Sequence, residues 1–236
     1  MRDRQWQVRF DGVSAGYANR AVLDQLTLQI PAFTTTAVVG PNGSGKSTLL
    51  GVIAGVIRTT AGRVERRSEG SVALVTQRSR VDDVLPLTVR DAVAMGRWGR
   101  RRGWWRLTRQ DWAVVEASME RLGITSLAHR QLGELSGGQR QRALVAQGLA
   151  QQAELLLLDE PTTGLDATAQ RIITEVLAEV TGEGVTVLQA THDLDAAASA
   201  GHLLLLREGR LWGEGDPRKV LTGDAIDEVW GLPRRV

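Results

Sequence analysis

The fold of this chain is decided by the stretch TAVVGPNGSGKSTLL, residues 36–50. It begins with an apolar run at 36–39, continues through a glycine-rich segment that ends in Lys46, and passes into a sequence with helical character. Glycines allow successive backbone N–H groups to turn inward as an anion-binding nest, and the start of a helix adds a partial positive charge. The order of strand, loop and helix therefore predicts a phosphate-binding P-loop rather than an ordinary glycine-rich turn.

The P-loop prediction gives individual roles to residues 40–48. We expect the Lys46 ammonium to reach the β and γ phosphates of ATP and the Ser47 hydroxyl to ligate Mg²⁺. Lys46 and Lys219 are the two lysines among 29 basic residues, which indicates a site that requires a compact ammonium rather than a guanidinium. The predicted phosphate-binding residues are Gly40, Pro41, Asn42, Gly43, Ser44, Gly45, Lys46, Ser47 and Thr48.

A second motif, LLLLDE at residues 155–160, is an apolar strand that ends in two carboxylates. Such an ending is common by itself, but ligands of open parallel sheets bind at the carboxyl ends of the strands. Next to a P-loop, Asp159 is expected to bind Mg²⁺ through water, and Glu160 is expected to polarise the water that attacks the γ-phosphate. Together the two motifs predict an enzyme that hydrolyses ATP.

The remaining sequence predicts one α/β unit. Short apolar or β-branched runs predict strands, and the helical stretches between them match the crossover connections of a mostly parallel sheet. Residues 86–150 interrupt this alternation of strands and helices, because they have helical patterns only. The first 30 residues alternate apolar and polar positions as in a small antiparallel sheet. The predicted strands lie near 8–10, 26–30, 36–39, 72–75, 154–158, 185–190, 203–206 and 210–212, and the predicted helices near 46–57, 89–95, 110–122, 138–150, 167–180 and 194–200.

These elements predict an α/β fold, in which a P-loop NTPase core with a mostly parallel sheet carries an N-terminal antiparallel β-subdomain and an inserted helical subdomain. We expect a single domain over 1–236, with the catalytic core at 1–85 and 151–236 and the helical insertion at 86–150. A chain of this length is sufficient to bury the core of such a domain.

Composition excludes several other classes of protein. The chain contains no cysteine, so it has no disulfide framework, no thiolate metal site and no cysteine nucleophile. Its apolar runs are far shorter than the roughly 20 residues that span a bilayer. No apolar stretch follows the N-terminal residues as it does in a secretory signal, so we expect the protein to stay in the cytosol.

A third motif, LSGGQRQR at residues 135–142, resembles the signature sequence of ABC-transporter ATPases. Generic P-loop enzymes lack this motif. The other characteristic features of the family are also present, in the family's order along the chain: an aromatic residue near the N-terminus, a glutamine loop, a D-loop and a switch histidine. They are Tyr17, Gln77, Gly164-Leu165-Asp166 and His192. The resemblance covers essentially the whole chain and implies the ABC ATPase fold.

The resemblance also implies an active site shared between two copies of the chain. In this family two ATP-binding subunits pack head to tail as a homodimer, and the signature of one covers ATP on the P-loop of the other. By resemblance, Tyr17 stacks on adenine, and Glu160, His192 and Gln77 act in hydrolysis. Mg²⁺ is then held by Ser47, Gln77 and Asp159, and ATP is also contacted by Ser136, Gly137, Gly138, Gln139 and Asp166.

The transported cargo is indicated by the segment 77–97, QRSRVDDVLPLTVRDAVAMGR, which is similar to a sequence segment of manganese/zinc importer ATPases. Such subunits bind membrane-spanning permease subunits on the cytoplasmic side of the cell membrane and are served indirectly by an extracellular substrate-binding protein. Iron-chelate and cobalamin importers share parts of this segment, and exporters share the nucleotide-binding motifs. An iron-chelate or cobalamin importer and an exporter therefore stay open as alternatives. The histidines at 129, 192 and 202 form no metal-ligand pattern, which places the choice of cargo in other subunits.

The segment 97–109, RWGRRRGWWRLTR, is the least typical part, with six arginines, three tryptophans and no acidic residue. It is compatible with a solvated loop, with stacking on nucleic-acid bases, or with anionic lipid headgroups. We expect it on the membrane-facing side of the helical insertion. We expect no nucleic-acid partner, since DNA-repair relatives separate their motifs by a long coiled coil that is missing between Thr48 and Ser136. Translation-associated relatives carry two such domains, whereas this chain has one.

Overall fold

The computed structural model describes residues 6–17, 20–67, 71–76, 87–100 and 106–232. Its strands form one sheet of three strands and one of six. In chain order the strands are β1 (Trp6–Tyr17), β2 (Arg20–Pro31), β3 (Thr35–Val39), β4 (Thr59–Arg66), β5 (Val72–Val75), β6 (Leu155–Asp159), β7 (Thr186–Ala190), β8 (His202–Arg207) and β9 (Arg210–Gly215).

Helices lie mainly between the strands of the larger sheet. Short 3-10 helices occupy 95–100, 125–127 and 132–134. In the part of the chain that the structure describes, no helix is both long and apolar enough to cross a membrane. The α-helices are α1 (Lys46–Ile53), α2 (Val89–Ala94), α3 (Arg109–Arg121), α4 (Gly137–Ala150), α5 (Ala167–Gly182), α6 (Leu194–Ala198), α7 (Pro217–Val220) and α8 (Gly223–Trp230).

The six-stranded sheet has the strand order β5-β6-β7-β3-β8-β9. All neighbouring pairs from β5 to β8 are parallel, and β9 returns antiparallel to β8. The predicted mostly parallel sheet is therefore confirmed. Because parallel strands end at the same edge, the residues that follow β3, β6 and β7 are neighbours in space.

The large sheet is buried on both faces, which explains its continuous apolar strands. Leu155 and Leu157 of β6 pack with α1 and with the smaller sheet. The alternate residues Leu156 and Leu158 pack with the helices that precede β6 and with α5. Successive side chains of a strand point to opposite faces, so one apolar run contributes to two cores.

The smaller sheet confirms the predicted N-terminal antiparallel subdomain and adds a strand that the sequence did not predict. Its order is β2-β1-β4, with antiparallel pairing throughout. The sequence did not predict β4 because this strand has no apolar run. Its residues 59–62 are small or polar, and they are exposed. As an edge strand it needs one hydrogen-bonding neighbour, and β1 provides it.

Helices α2, α3 and α4 form the predicted insertion between β5 and β6, and a capping box marks the start of two of them. Thr108 caps α3 in a capping box with Asp111, and Ser136 caps α4 in the same way with Gln139. Each capping oxygen accepts from an N–H group that the helix itself leaves unpaired. The helix that follows the signature therefore begins at Gly137, one residue earlier than predicted.

Other differences from the predicted helices arise where the chain turns. Helix α1 ends at Ile53 rather than near residue 57, because Gly55 takes a left-handed φ of 75° shortly afterwards. Helices α7 and α8, after β9, are not among the predicted ones. They begin at the capping side chains of Asp216 and Thr222, residue types that are typical of helix starts.

Arg97 corrects the interpretation of segment 97–109 as one exposed basic stretch. Its side chain is buried, and its Nη2 lies 3.0 Å from Oδ1 of the buried Asp111 in α3. Its Nη1 also donates to the Ala150 carbonyl, at the end of α4, at 2.8 Å. Arg97 therefore links three helices of the insertion and does not face a membrane.

The structure describes only part of the remaining segment, residues 98–109. Residues 101–105 and the side chain of Arg100 lie outside the described part of the chain. Trp98, Arg106 and Arg109 are exposed. Contact with lipid headgroups therefore stays a prediction for these positions.

Replacing Arg97 with alanine should destabilise the fold, because the buried ion pair with Asp111 and the hydrogen bond to the Ala150 carbonyl would both be lost. We expect the free energy of unfolding, measured with urea, to fall by about 3 kcal/mol. The matched control is Arg109→Ala, which removes an exposed guanidinium of the same segment and should change stability by less than about 0.5 kcal/mol. Equal stability of the two variants would show that the ion pair does not hold the insertion together.

Candidate active site

The P-loop joins β3 to α1, and its lysine lies against the loop's own backbone. The Lys46 side chain is buried, with 6% of the residue exposed. Its Nζ donates to the carbonyl oxygens of Gly40 at 2.7 Å and Pro41 at 3.1 Å. The Ser44 N–H also donates to the Pro41 carbonyl, and Gly45 takes a φ of 102° that residues with side chains rarely adopt. The loop is therefore tightly folded around the ammonium.

Two carboxylates at the end of β6 act electrostatically on this lysine. Burial lowers the pKa of Lys46, and the negative charges of Glu160 and Asp159 oppose that shift. A buried charge is unfavourable unless opposite charges or hydrogen-bonding partners lie close by. The structure thus brings the P-loop and the acid pair into one site.

The Ser47 hydroxyl lies close enough to the Asp159 carboxyl to act on its pKa. Burial raises the pKa of Asp159, while the Ser47 hydroxyl opposes that rise. A hydroxyl and a carboxylate are ligands that Mg²⁺ accepts, and a cation beside Asp159 would offset the burial of its charge, so the pair fits the predicted metal site. No group of three His, Asp or Glu side chains within the described ranges offers another metal site.

Glu160 has an unusual backbone conformation directly after β6. Its φ is 51°, in the left-handed region that is unfavourable for a residue with a side chain. Its N–H donates to the Ala190 carbonyl of β7 at 2.9 Å. Strands β6 and β7 pair as far as Asp159 and Ala190, so the left-handed residue stands where the ladder ends. The strand pairing thereby holds the strained residue in place.

His192 follows β7 and lies close to this carboxylate. Its Nδ1 is 3.6 Å from Oε2 of Glu160. The preceding Thr191 donates its N–H to the Val38 carbonyl of β3 at 3.0 Å, and the following Asp193 caps α6. The chain is therefore held on both sides of His192, and the polar residues after β3, β6 and β7 converge on one edge of the sheet.

The signature residues form a second cluster at the N-terminus of α4. Ser136 and Gly137 are exposed, and a methyl group on Gly137 would meet nothing within 4 Å. The Ser136 Oγ accepts from the Gln139 N–H at 3.3 Å, and the Gln139 Oε1 accepts from the Ser136 N–H at 3.1 Å. Gln139 thus stabilises the start of the helix, and the signature backbone is open to a ligand.

The D-loop residue Asp166 belongs to this second cluster. Its Oδ1 accepts from the Ala169 N–H at 2.9 Å and so caps α5. A methyl group on the buried Gly138 would lie 3.2 Å from Oδ2 of Asp166 and 3.0 Å from Cβ of Ala169. The starts of α4 and α5 are therefore packed closely, which brings the signature and the D-loop together.

The other predicted site residues lie in the smaller sheet, on the P-loop and α1, or outside the described residues. Tyr17 ends β1 in the smaller sheet and is 56% exposed, so its ring is available for stacking on a base. Thr48 is buried within α1, and Asn42 and Gly43 are exposed on the P-loop. Gln77 lies outside the described residues.

The turn between β8 and β9 touches the P-loop, although no predicted motif includes it. The Gly209 N–H donates to the Ser44 carbonyl at 3.0 Å. In the sequence, Gly209 between two predicted strands indicates a turn. Its position beside the P-loop depends on the pairing of distant strands and has no local indication.

Comparison with known proteins agrees with this geometry. Residues 23–163 match the sequence family described as ABC transporter. The chain is 37% identical to the manganese transport system ATP-binding protein MntA of Synechocystis, over 95% of this chain and 90% of that protein. It is 36% identical to the ferric enterobactin transport ATP-binding protein FepC of Escherichia coli, over 96% of this chain and 88% of that protein.

A similar solved structure is that of a metal-chelate type ABC transporter in an inward-facing conformation. It superposes with a TM-score of 0.87 at 30% sequence identity, covering 97% of this chain and 90% of that chain. The family match covers more than half of the chain, and the relatives align over nearly all of it. This chain therefore belongs to the ABC transporter family and has the fold of its ATP-binding ATPases.

Proposed function

We propose that this chain is the ATP-hydrolysing subunit of an ABC importer for manganese or zinc ions. The observation that carries the proposal is the convergence of Lys46, the neighbouring Ser47 and Asp159 side chains and the Glu160–His192 pair at one edge of the sheet. Groups that bind phosphate, ligate a cation and accept a proton are the set that phosphoryl transfer to water requires. The relatives named above are transport ATP-binding proteins, which supports the same activity.

In the proposed reaction the P-loop binds the phosphates of ATP through its N–H groups, and Lys46 balances their charge. Mg²⁺, held by Ser47 and Asp159, would neutralise charge that develops on the phosphates. Glu160 accepts a proton from the attacking water, and His192 orients the water and the carboxylate beside it. Tyr17 and Gln77 take part by family resemblance, as the adenine-stacking ring and as a further residue near the cation.

Two copies of the chain would complete each active site. The signature cluster at Ser136–Gly138 and Gln139 exposes a helix N-terminus, a device that binds anions. It belongs to the helical insertion, whereas the P-loop belongs to the sheet edge. A head-to-tail homodimer would place this cluster over ATP on the opposite P-loop, with Asp166 next to it.

The cargo is proposed from similarity to known proteins. Within the described residues, no group of three or more His, Asp or Glu side chains could bind a metal ion as cargo. Similarity to the manganese transport protein and the segment 77–97 favour manganese or zinc. Similarity to the ferric enterobactin protein favours an iron-chelate importer as the second candidate. In either case the chain would bind membrane-spanning permease subunits from the cytoplasmic side, and an extracellular substrate-binding protein would deliver the cargo.

Replacing Glu160 with glutamine should separate ATP binding from hydrolysis. The amide keeps the shape of the side chain but cannot accept a proton, so we expect kcat to fall by about 10²–10⁴-fold. ATP binding should persist, and an ATP-bound dimer should accumulate in light scattering. The control Lys46→Ala should instead lose binding of ATP, because the ammonium that contacts the phosphates is gone. Turnover by Glu160→Gln at the parent rate would contradict the assigned base.

Replacing Ser136 with arginine should block the dimer and leave ATP binding to each monomer unchanged. The long side chain would occupy the surface that has to approach the opposite γ-phosphate closely. Light scattering of the variant in the presence of ATP should report monomers. In a mixture with the Glu160→Gln protein, the Ser136→Arg chain should stay monomeric while the Glu160→Gln chains dimerise with one another. An intact ATP-dependent dimer of the Ser136→Arg protein would rule out the head-to-tail arrangement.

Uptake by cells distinguishes the two cargo candidates. Cells in which this chain carries Glu160→Gln should lose uptake of radiolabelled manganese or zinc and keep uptake of ferric chelates at the parent level. The parent chain, supplied in trans, should restore the lost uptake. Loss of ferric-chelate uptake alone would assign the chain to an iron-chelate importer, and accumulation of metal inside the variant cells would indicate an exporter.

A further inference from the structure

The hairpin turn between β8 and β9 is short and strained. Arg207 pairs with Arg210, so the turn consists of Glu208 and Gly209. Their φ values are 50° and 78°, as in a type I′ turn. Glycine adopts such a φ without strain, whereas glutamate does not. Contacts around the turn must therefore hold it in this conformation.

Two backbone hydrogen bonds fix the turn between the P-loop and β2. The Gly209 N–H donates to the Ser44 carbonyl at 3.0 Å, and the Gly209 carbonyl accepts from the Asp24 N–H at 2.9 Å. A methyl group on Gly209 would overlap the Val22 carbonyl oxygen. The turn can approach β2 this closely because position 209 has no side chain.

Strand β8 touches the P-loop at a second point, just before the turn. A methyl group on Gly40 would overlap the Leu206 carbonyl oxygen. The end of β8 and its turn therefore contact the loop at Gly40, where the loop starts, and at Ser44, directly before its last glycine. These contacts involve backbone alone, so they constrain the path of the loop rather than its side chains.

The hydrogen bond to Ser44 also determines the direction of a neighbouring N–H group. The Ser44 carbonyl and the Gly45 N–H belong to one planar peptide unit, and the described part of the chain has no cis peptide bond. In a trans peptide the C=O and N–H point in opposite directions. With the Ser44 carbonyl held toward the hairpin, the Gly45 N–H points away from the hairpin. The proposed function places phosphate at this loop.

We propose that Gly209 is a positioning residue for ATP, because its N–H sets the orientation of the Gly45 N–H in the phosphate-binding loop. Gly209 acts through the Ser44–Gly45 peptide and not by touching the nucleotide. The inference rests on the proposed function, since it requires ATP at the P-loop. It goes beyond that function by assigning a role in ATP binding to a turn outside the P-loop motif.

The test is the variant Gly209→Ala in the full chain, whose added methyl displaces the turn from β2 and from Ser44. We expect the KM for ATP to rise about tenfold, as for the loss of one charge-assisted hydrogen bond. At saturating ATP, kcat should change by less than about twofold, because bound nucleotide restores the loop. The matched control is Gly215→Ala at the far end of β9, where a φ of 130° strains an alanine as the φ at position 209 does but a methyl group would meet nothing within 4 Å. Its KM should keep the parent value.

A purely structural role for Gly209 gives a different result, in which the melting temperature and kcat fall while KM is unchanged. That result overturns the proposal. Hydrogen exchange in the parent protein tests it without any variant. The Gly209 N–H should exchange more slowly after addition of ATP with Mg²⁺, because bound nucleotide holds the Ser44 carbonyl in place, and an unchanged exchange rate overturns the proposal.

The proposed function and this inference fail in distinguishable ways. A parent protein that does not bind ATP contradicts the proposed function itself. A parent protein that binds ATP, together with a Gly209→Ala variant that binds it equally well, contradicts the positioning role alone.

Discussion

The parallel pairing of β6, β7 and β3 is the constraint on which the rest of the structure depends. The two ladders meet at Ala190, which pairs with Asp159 on one side and with Val38 on the other. Because the three strands end together, the P-loop, the acid pair and His192 leave the sheet at the same edge. The strands themselves are apolar, and their hydrogen bonds alone align the chemistry at their ends.

At this edge Lys46 and the two carboxylates stabilise each other's charges, whereas the charge of Glu160 adds to the rise in the pKa of Asp159. Burial shifts the pKa of Lys46 down and that of Asp159 up, so each is moved toward its neutral form. The opposite charge of the other residue counteracts both shifts, and the Ser47 hydroxyl also lowers the pKa of Asp159. Removing Lys46 would leave the Asp159 carboxylate buried without its opposite charge, which is why the site depends on this pair.

The two ends of helix α4 lie in contrasting environments, one buried and one at the surface. At its C-terminus the Ala150 carbonyl accepts from the buried Arg97, which is also paired with Asp111. At its N-terminus the capping box of Ser136 keeps the signature open at the surface, and Gly138 packs against the D-loop. A helix that is anchored at one end and exposed at the other is suited to present a backbone anion site to a second molecule.

Much of the fold and of the candidate site follows from the sequence alone. The P-loop, the acid pair after β6 and the starts of α3 and α4 were predicted at or within one residue of their observed places, because a contiguous pattern encodes each of them. An apolar run gives a buried strand, glycines permit the loop, and a serine or threonine caps the helix that follows. These are local effects, so neighbouring residues suffice to determine them.

Other features were decided by the tertiary structure, because they depend on residues far away in the chain. Arg97 is buried rather than exposed, since its partners Asp111 and Ala150 lie on other helices. Strand β4 exists because β1 lies beside it, and its own residues have no strand pattern. Gly209 reaches the P-loop because β8 pairs with β3, and a hydrogen bond between segments so distant in sequence leaves no pattern in either of them.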